Sequence, residues 1–126
     1  MNAPRVLIVD DNALNIELAT FVLEEAGLAV AATSEPDEVR SRIVDFRPDL
    51  VLMDIRLAGS DGLALTRALR EDPIGKSLRI VAFTAFAMKG DEAKMRAAGC
   101  DGYIAKPIDV ATFATQVREA ISATPG

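Results

Sequence analysis

The sequence contains no histidine and no tryptophan, a single cysteine, Cys100, and aromatic residues at only 5% of 126 positions. Without histidine and with one thiol, a zinc centre of ordinary composition and an internal disulfide framework are both excluded. That pattern suits a reducing compartment, and the cytoplasm is the expected location. Long hydrophobic runs are missing too. Apolar stretches such as Val6–Val9 last only a few residues, far short of the roughly 20 that a membrane-spanning helix needs. The first residues, MNAPR, lead straight into a strand pattern instead of a signal-peptide core. Positive charge is in deficit, with 14 Lys and Arg against 19 Asp and Glu and a net charge of −5. This argues against binding a nucleic-acid backbone, which needs clustered cations to displace counterions. Any partner is expected to be protein.

What is present is an ordinary globular composition, 50% hydrophobic and 26% charged. A chain of this length forms one domain and buries roughly two-thirds of its unfolded surface. The expectation is a single domain over residues 1–126, with a core from about residue 5 to residue 122. Neither a repeat nor an internal linker interrupts it. The Met start and short tail, residues 122–126, suggest a complete chain with a frayed end.

Arg5–Val9 is short and continuously apolar, as in a strand covered on both faces. Asn12 or Asp11 can cap a helix to about Ala26, with Gly27 just beyond. Leu28–Ala32 is a weaker strand, and Ser34-Glu35-Pro36-Asp37 reads as an N-cap, Ser34, with acids and Pro in the first turn of a helix that ends before Pro48. Asp49–Met53 is a third strand. Asp61 can cap a helix to about Glu71, closed by Asp72-Pro73. A fourth strand, Arg79–Phe83, leads to Thr84, and a helix from about Lys89 to Ala98 stops at Gly99. Gly102–Ala105 is a fifth strand, and Asp109 caps a last helix whose Val110, Phe113, Val117 and Ile121 recur at helical spacing. Alternating strands and helices imply a doubly wound α/β domain with a five-stranded parallel sheet.

Polar residues fall at the strand ends: Asp10 and Asp11 after the first, Asp54 after the third, Thr84 after the fourth, Lys106 after the fifth. Open α/β sheets bind ligands at these C-terminal edges. With strand order 2-1-3-4-5, three carboxylates converge on one crevice beside a hydroxyl and an ammonium. Three anions repel, so the cluster must raise a pKa or recruit a cation, and Mg²⁺ suits oxygen ligands with open positions. A cation and a lysine can neutralise a phosphoryl group in flight while one carboxylate attacks phosphorus. The residues therefore point to phosphoryl transfer to an aspartate.

VLIVDDN, DLVLMDI, FTAFA and YIAKPI, in this order and spacing, resemble the receiver domain of bacterial two-component response regulators over about Arg5 to Ser122. The stretch TAFAMKGDEAKMRAAGCDGYIAKPI particularly resembles single-domain, DivK-type regulators, although receivers of hybrid histidine kinases carry similar text. The resemblance implies the flavodoxin-like (CheY-like) fold. It implies Asp54 as phosphoacceptor and Asp10, Asp11, Asp54 and the backbone carbonyl of Arg56 as Mg²⁺ ligands. Lys106 would pair with the phosphoryl group, Thr84 would move to hydrogen-bond it, and Tyr103 would turn inward behind Thr84. It also implies a cis Lys106-Pro107 peptide. The phosphodonor would be a histidine kinase or histidine phosphotransfer protein, and output would pass to a downstream protein target.

Other readings of the same residues stay open at this stage. Asp10-Asp11 alone could be a helix cap, Asp54 a turn residue, Lys106 a solvated charge, Thr84 a local cap and Tyr103 a static edge-strand aromatic. Cys100 reads as a small buried residue with no chemistry. The first helix has more apolar positions than a core stripe needs. Leu14 and Phe21, with Pro107 and Ile108, are candidates for docking the kinase's helix, against ordinary scattered surface hydrophobicity. Ala58 stands where the family commonly has proline, which loosens the loop after Asp54. Arg56 and Phe86 can overhang the site, and bulky Phe86 is expected to hinder the attacking water. Rival functions are a phosphatase, an FMN carrier, an unphosphorylated adaptor and a receiver excised from a larger chain. Arg56 in place of the second aspartate such phosphatases use counts against turnover, and so the chain is not expected to be a conventional enzyme. A missing Gly/Ser/Thr-rich loop after the first strand counts against FMN.

Overall fold

The computed structural model describes residues 3–57, 60–85 and 91–122. Strands β1 (Arg5–Val9), β2 (Ala29–Thr33), β3 (Leu50–Asp54), β4 (Ile80–Thr84) and β5 (Gly102–Ala105) alternate with helices. These are α1 (Ala13–Glu25), α2 (Val39–Phe46), α3 (Gly62–Glu71), α4 (Asp91–Ala98) and α5 (Phe113–Ser122). All five strands pair in parallel in the order β2-β1-β3-β4-β5. This is the expected flavodoxin-like arrangement.

The strands are apolar on both sides because helices cover both faces of the sheet. Val6, Ile8, Leu50, Leu52, Val81 and Phe83 face one side, where Leu23 of α1 and Phe113 and Val117 of α5 close over them. Leu7, Val9, Val51, Met53, Ile80 and Ala82 face the other, against Val39 and Ile43 of α2, Leu69 of α3 and Met95 of α4. A continuous apolar run becomes two alternating sets once the two-residue period of a strand divides it.

The helix ends explain most of the boundaries. The Asn12 side chain accepts from the Asn15 N–H at 3.1 Å and caps α1. Gly27, at φ 90°, takes the chain out of the helix through the left-handed region that glycine favours. Asp61 caps α3 by accepting from the Leu63 N–H at 2.9 Å. Two expectations are corrected. Ser34 is not the cap of the second helix; the chain enters through a 3-10 turn, Pro36–Glu38, and the Thr33 hydroxyl oxygen accepts from the Glu35 N–H at 3.1 Å. Val110 does not join the α5 stripe and is 59% exposed. Asp109 instead caps a turn, accepting from the Ala111 N–H at 3.0 Å, and the helix begins only at Phe113. Residues 89 and 90 of the expected fourth helix and the tail from residue 123 lie outside the described residues.

Arg70, in the last turn of α3, ties two connections together, the one from α3 to β4 and the one from α4 to β5. Its guanidinium donates to the carbonyls of Gly99 (2.9 Å), Gly75 (2.7 Å) and Leu78 (2.6 Å). It also pairs with Asp101 at 3.0 Å, which in turn accepts from the Ile80 N–H at 2.9 Å. Arg70→Met keeps the aliphatic stem and removes every donor. We expect it to lower stability by about 2–3 kcal/mol in urea unfolding, since hydrogen bonds from a charged donor are worth about 1.5–3 kcal/mol each before water replaces part of them.

Candidate functional site

Strand register builds the site. Val9 is paired with Met53, so the next residues, Asp10 and Asp54, stand at adjoining strand ends. Asp54 is paired with Phe83 and Thr84 with Ala105, and the Lys106 N–H donates to the Thr84 carbonyl at 2.8 Å. Asp10, Asp11, Asp54, Thr84 and Lys106 therefore share one edge, at the β1/β3 switch point where the chain's winding reverses.

Asp10 is wholly buried, Asp54 nearly so and Asp11 exposed, and one oxygen of each lies within 4.8 Å of the others. The Lys106 ammonium reaches between the two buried carboxylates, 2.9 Å from Asp10 Oδ2 and 3.3 Å from Asp54 Oδ2. It also lies 4.9 Å from the centre of the Phe83 ring. The other oxygens are held by backbone: Asp10 Oδ1 accepts from the Asn12 N–H at 2.8 Å, and Asp54 Oδ1 from the Arg56 N–H at 2.9 Å. Each carboxylate thus turns one oxygen to its own loop and the other to the crevice.

The two buried carboxylates share one ammonium. Burial pushes the Asp54 carboxyl above the usual value of 3.8 and the Asp10 charge adds to this, while the Arg56 N–H and Lys106 pull it back down. Asp10 Oδ2 has an ammonium beside it but no aligned hydrogen bond among the described residues, although it is fully buried. Even with that ammonium at 2.9 Å, the carboxylate oxygen keeps a lone pair for a further ligand. Together with two further carboxylates, one exposed at the mouth, this donor set fits a hard divalent cation such as Mg²⁺, which takes oxygen ligands and keeps waters.

The remaining expected residues are placed as follows. Thr84 is buried at the end of β4. Tyr103, on the edge strand β5, is 41% exposed and not turned inward. The Lys106-Pro107 peptide is cis. On α1, Leu14 and Phe21 are 76% and 62% exposed; Pro107 is exposed and Ile108 half-buried. Ala58 and Phe86 lie outside the described residues. Cys100 is buried, and burial pushes its thiol up.

A glycine at the site escaped the sequence reading. Gly62 opens α3 directly against the end of β3, and a Cβ there would lie 2.0 Å from the Asp54 carbonyl oxygen and 2.8 Å from Ile55 Cα. Only a residue without a side chain permits that approach. The available signal was a glycine directly after a capping aspartate, where helices gain nothing from one.

Residues 6–118 match the response regulator receiver domain family. The chain is 41% identical over 113 residues to the polar-differentiation response regulator DivK of Brucella anthropi, covering 90% of this chain and 92% of that one. Among solved structures it resembles the receiver domain of a sensor histidine kinase from Pseudomonas aeruginosa with a magnesium ion coordinated in the active-site cleft. That likeness has a TM-score of 0.84 at 30% identity and covers 96% of this chain and 99% of that one. A response regulator from Thermotoga maritima is similar at a TM-score of 0.85 and 25% identity, over 96% and 99% of the two chains. The chain belongs to the response regulator receiver family of two-component signal transduction.

Proposed function

We propose that this receiver is a phosphorylation-controlled switch of a two-component phosphorelay, with Asp54 as its phosphoacceptor. The observation that carries this reading is the convergence of Asp10, Asp11 and Asp54 within 4.8 Å, with Lys106 at 2.9 and 3.3 Å from the two buried members. An Asp54 oxygen attacks the phosphorus of a phosphohistidine on a histidine kinase or phosphotransfer protein. The P–O bond forms as the P–N bond breaks, and the imidazole keeps the electron pair. Asp10, Asp11, Asp54 and the Arg56 carbonyl would hold Mg²⁺, which when bound supplies charge neutralisation for the phosphoryl oxygens. The Arg56 N–H keeps Asp54 oriented, and Lys106 offers its ammonium to the new phosphoryl group.

Phosphorylation adds roughly −1.5 to −2 charge at the strand edge, which draws in Lys106 and the Thr84 hydroxyl. The exposed Tyr103 then has inner space to occupy, and the face of α4, β5 and α5 changes for a downstream protein. Exposed Leu14 and Phe21, with Pro107 and Ile108, form the surface on which the donor's helix docks. Arg56 two residues beyond the acceptor supplies no general acid, which supports a switch over a turnover phosphatase.

Ligand linkage tests the cation reading without any phosphodonor. At 100-fold above its Kd, Mg²⁺ should raise the unfolding free energy by about 2.7 kcal/mol. Asp10→Asn should lose most of that gain in paired urea titrations with Mg²⁺ or EDTA. Equal stabilisation of both proteins would remove Asp10 from the site.

A further inference from the structure

We propose that Gly62 and Thr66 are positioning residues for the cation site, fixing the loop after Asp54 so that the Asp54 carboxylate and the Arg56 carbonyl can serve one ion. The inference rests on the Mg²⁺-dependent reading above. After β3 the chain turns back on itself, with Arg56 paired to Asp61 and Leu57 to Ser60 in antiparallel register. The return path ends at Gly62, whose N–H donates to the Ile55 carbonyl at 3.1 Å. Its α-carbon sits so close to the Asp54–Ile55 peptide that a Cβ would fall 2.0 Å from the Asp54 oxygen. The next residue, Arg56, donates its N–H to Asp54 Oδ1 at 2.9 Å. Any displacement of Gly62 therefore moves the peptide that aims the acceptor carboxylate.

Thr66 holds Gly62 from behind. It is wholly buried one turn along α3, and its hydroxyl donates to the Gly62 carbonyl at 2.8 Å. An α-helix does not require this bond, because the backbone N–H four residues on already serves that carbonyl. Such back-bonding instead bends the local turn. Here that turn is the one packed against Asp54. Packing alone would be met by valine, which has the same shape. The hydroxyl at this apolar position is accounted for by its hold on the loop.

The test is titration of the purified chain with Mg²⁺ alone, followed by amide chemical shifts, alongside urea unfolding of each variant. Thr66→Val should weaken Mg²⁺ binding about tenfold, the size of effect seen when groups supporting metal ligands are removed. Thr66→Ala should weaken it likewise, and Thr66→Ser should bind as wild type does. Leu69→Ala, a core truncation on the same helix, should lose stability with its Mg²⁺ affinity unchanged. Wild-type affinity in Thr66→Val or Thr66→Ala, or an equal loss in Leu69→Ala, overturns the positioning role and leaves the cation reading intact. Absence of saturable Mg²⁺ binding in the wild type overturns the cation reading and this proposal with it.

Discussion

Gly62→Ala should destabilise the fold by about 2–3 kcal/mol, although alanine is by far the better helix former. In an unstrained helical position the same substitution stabilises by about 0.4–1 kcal/mol, chiefly by restricting the unfolded chain. The sign reverses here because the new methyl must displace backbone: the Asp54 carbonyl oxygen at 2.0 Å and Ile55 Cα at 2.8 Å have no rotamer to escape into. Gly102 provides the control, since nothing lies within 4 Å of a Cβ built there. Gly102→Ala should leave the urea midpoint nearly unchanged. A Gly62→Ala variant as stable as Gly102→Ala would show that the start of α3 can retreat from β3 without cost.

Lys106→Ala should slow phosphorylation by acetyl phosphate roughly 10²–10³-fold, the usual loss when one preorganised group facing developing charge is removed. Stability should respond in a different way. The ammonium lies between Asp10 Oδ2 and Asp54 Oδ2, and without it two buried carboxylates face each other uncompensated. In EDTA the variant should therefore be less stable than wild type, and it should recover more stability when Mg²⁺ is added. Lys106→Arg should rescue the rate poorly, because a planar fork does not replace a compact ammonium in a crevice where the group is mostly buried. Rapid phosphorylation of Lys106→Ala would remove the ammonium from the transfer step. The urea comparison would still report on the ion pair.

The sheet was legible because each strand is a short apolar run bounded by turn formers, and the two-sided burial of β1, β3 and β4 follows from that continuity. The site was legible because Asp10, Asp11, Asp54, Thr84 and Lys106 each follow a strand, and a parallel sheet gathers such positions on one edge. What escaped the sequence was set by contacts at long separation. Arg70 looks like a solvated cation near a helix end until Gly99 and Asp101, some thirty residues away, receive its donors. Gly62 looks like the first residue of a helix until β3 is packed against it. Val110 has helical spacing with Phe113 and Val117, but the turn capped by Asp109 takes it out of the helix. Thr33 displaced Ser34 as the polar residue before α2 because its side chain, at the end of β2, is already buried beside the turn.

The central claim, that Asp54 receives the phosphoryl group, is tested most directly by incubating wild type and Asp54→Asn with Mg²⁺ and acetyl phosphate and measuring intact mass. Where this small donor is sluggish, a phosphorylated histidine kinase replaces it. The account predicts a single phosphoryl adduct on the wild type, lost in EDTA and absent from Asp54→Asn, with free phosphate released only slowly. An adduct that persists in Asp54→Asn, or steady phosphate release at enzymatic rates by the wild type, would contradict it.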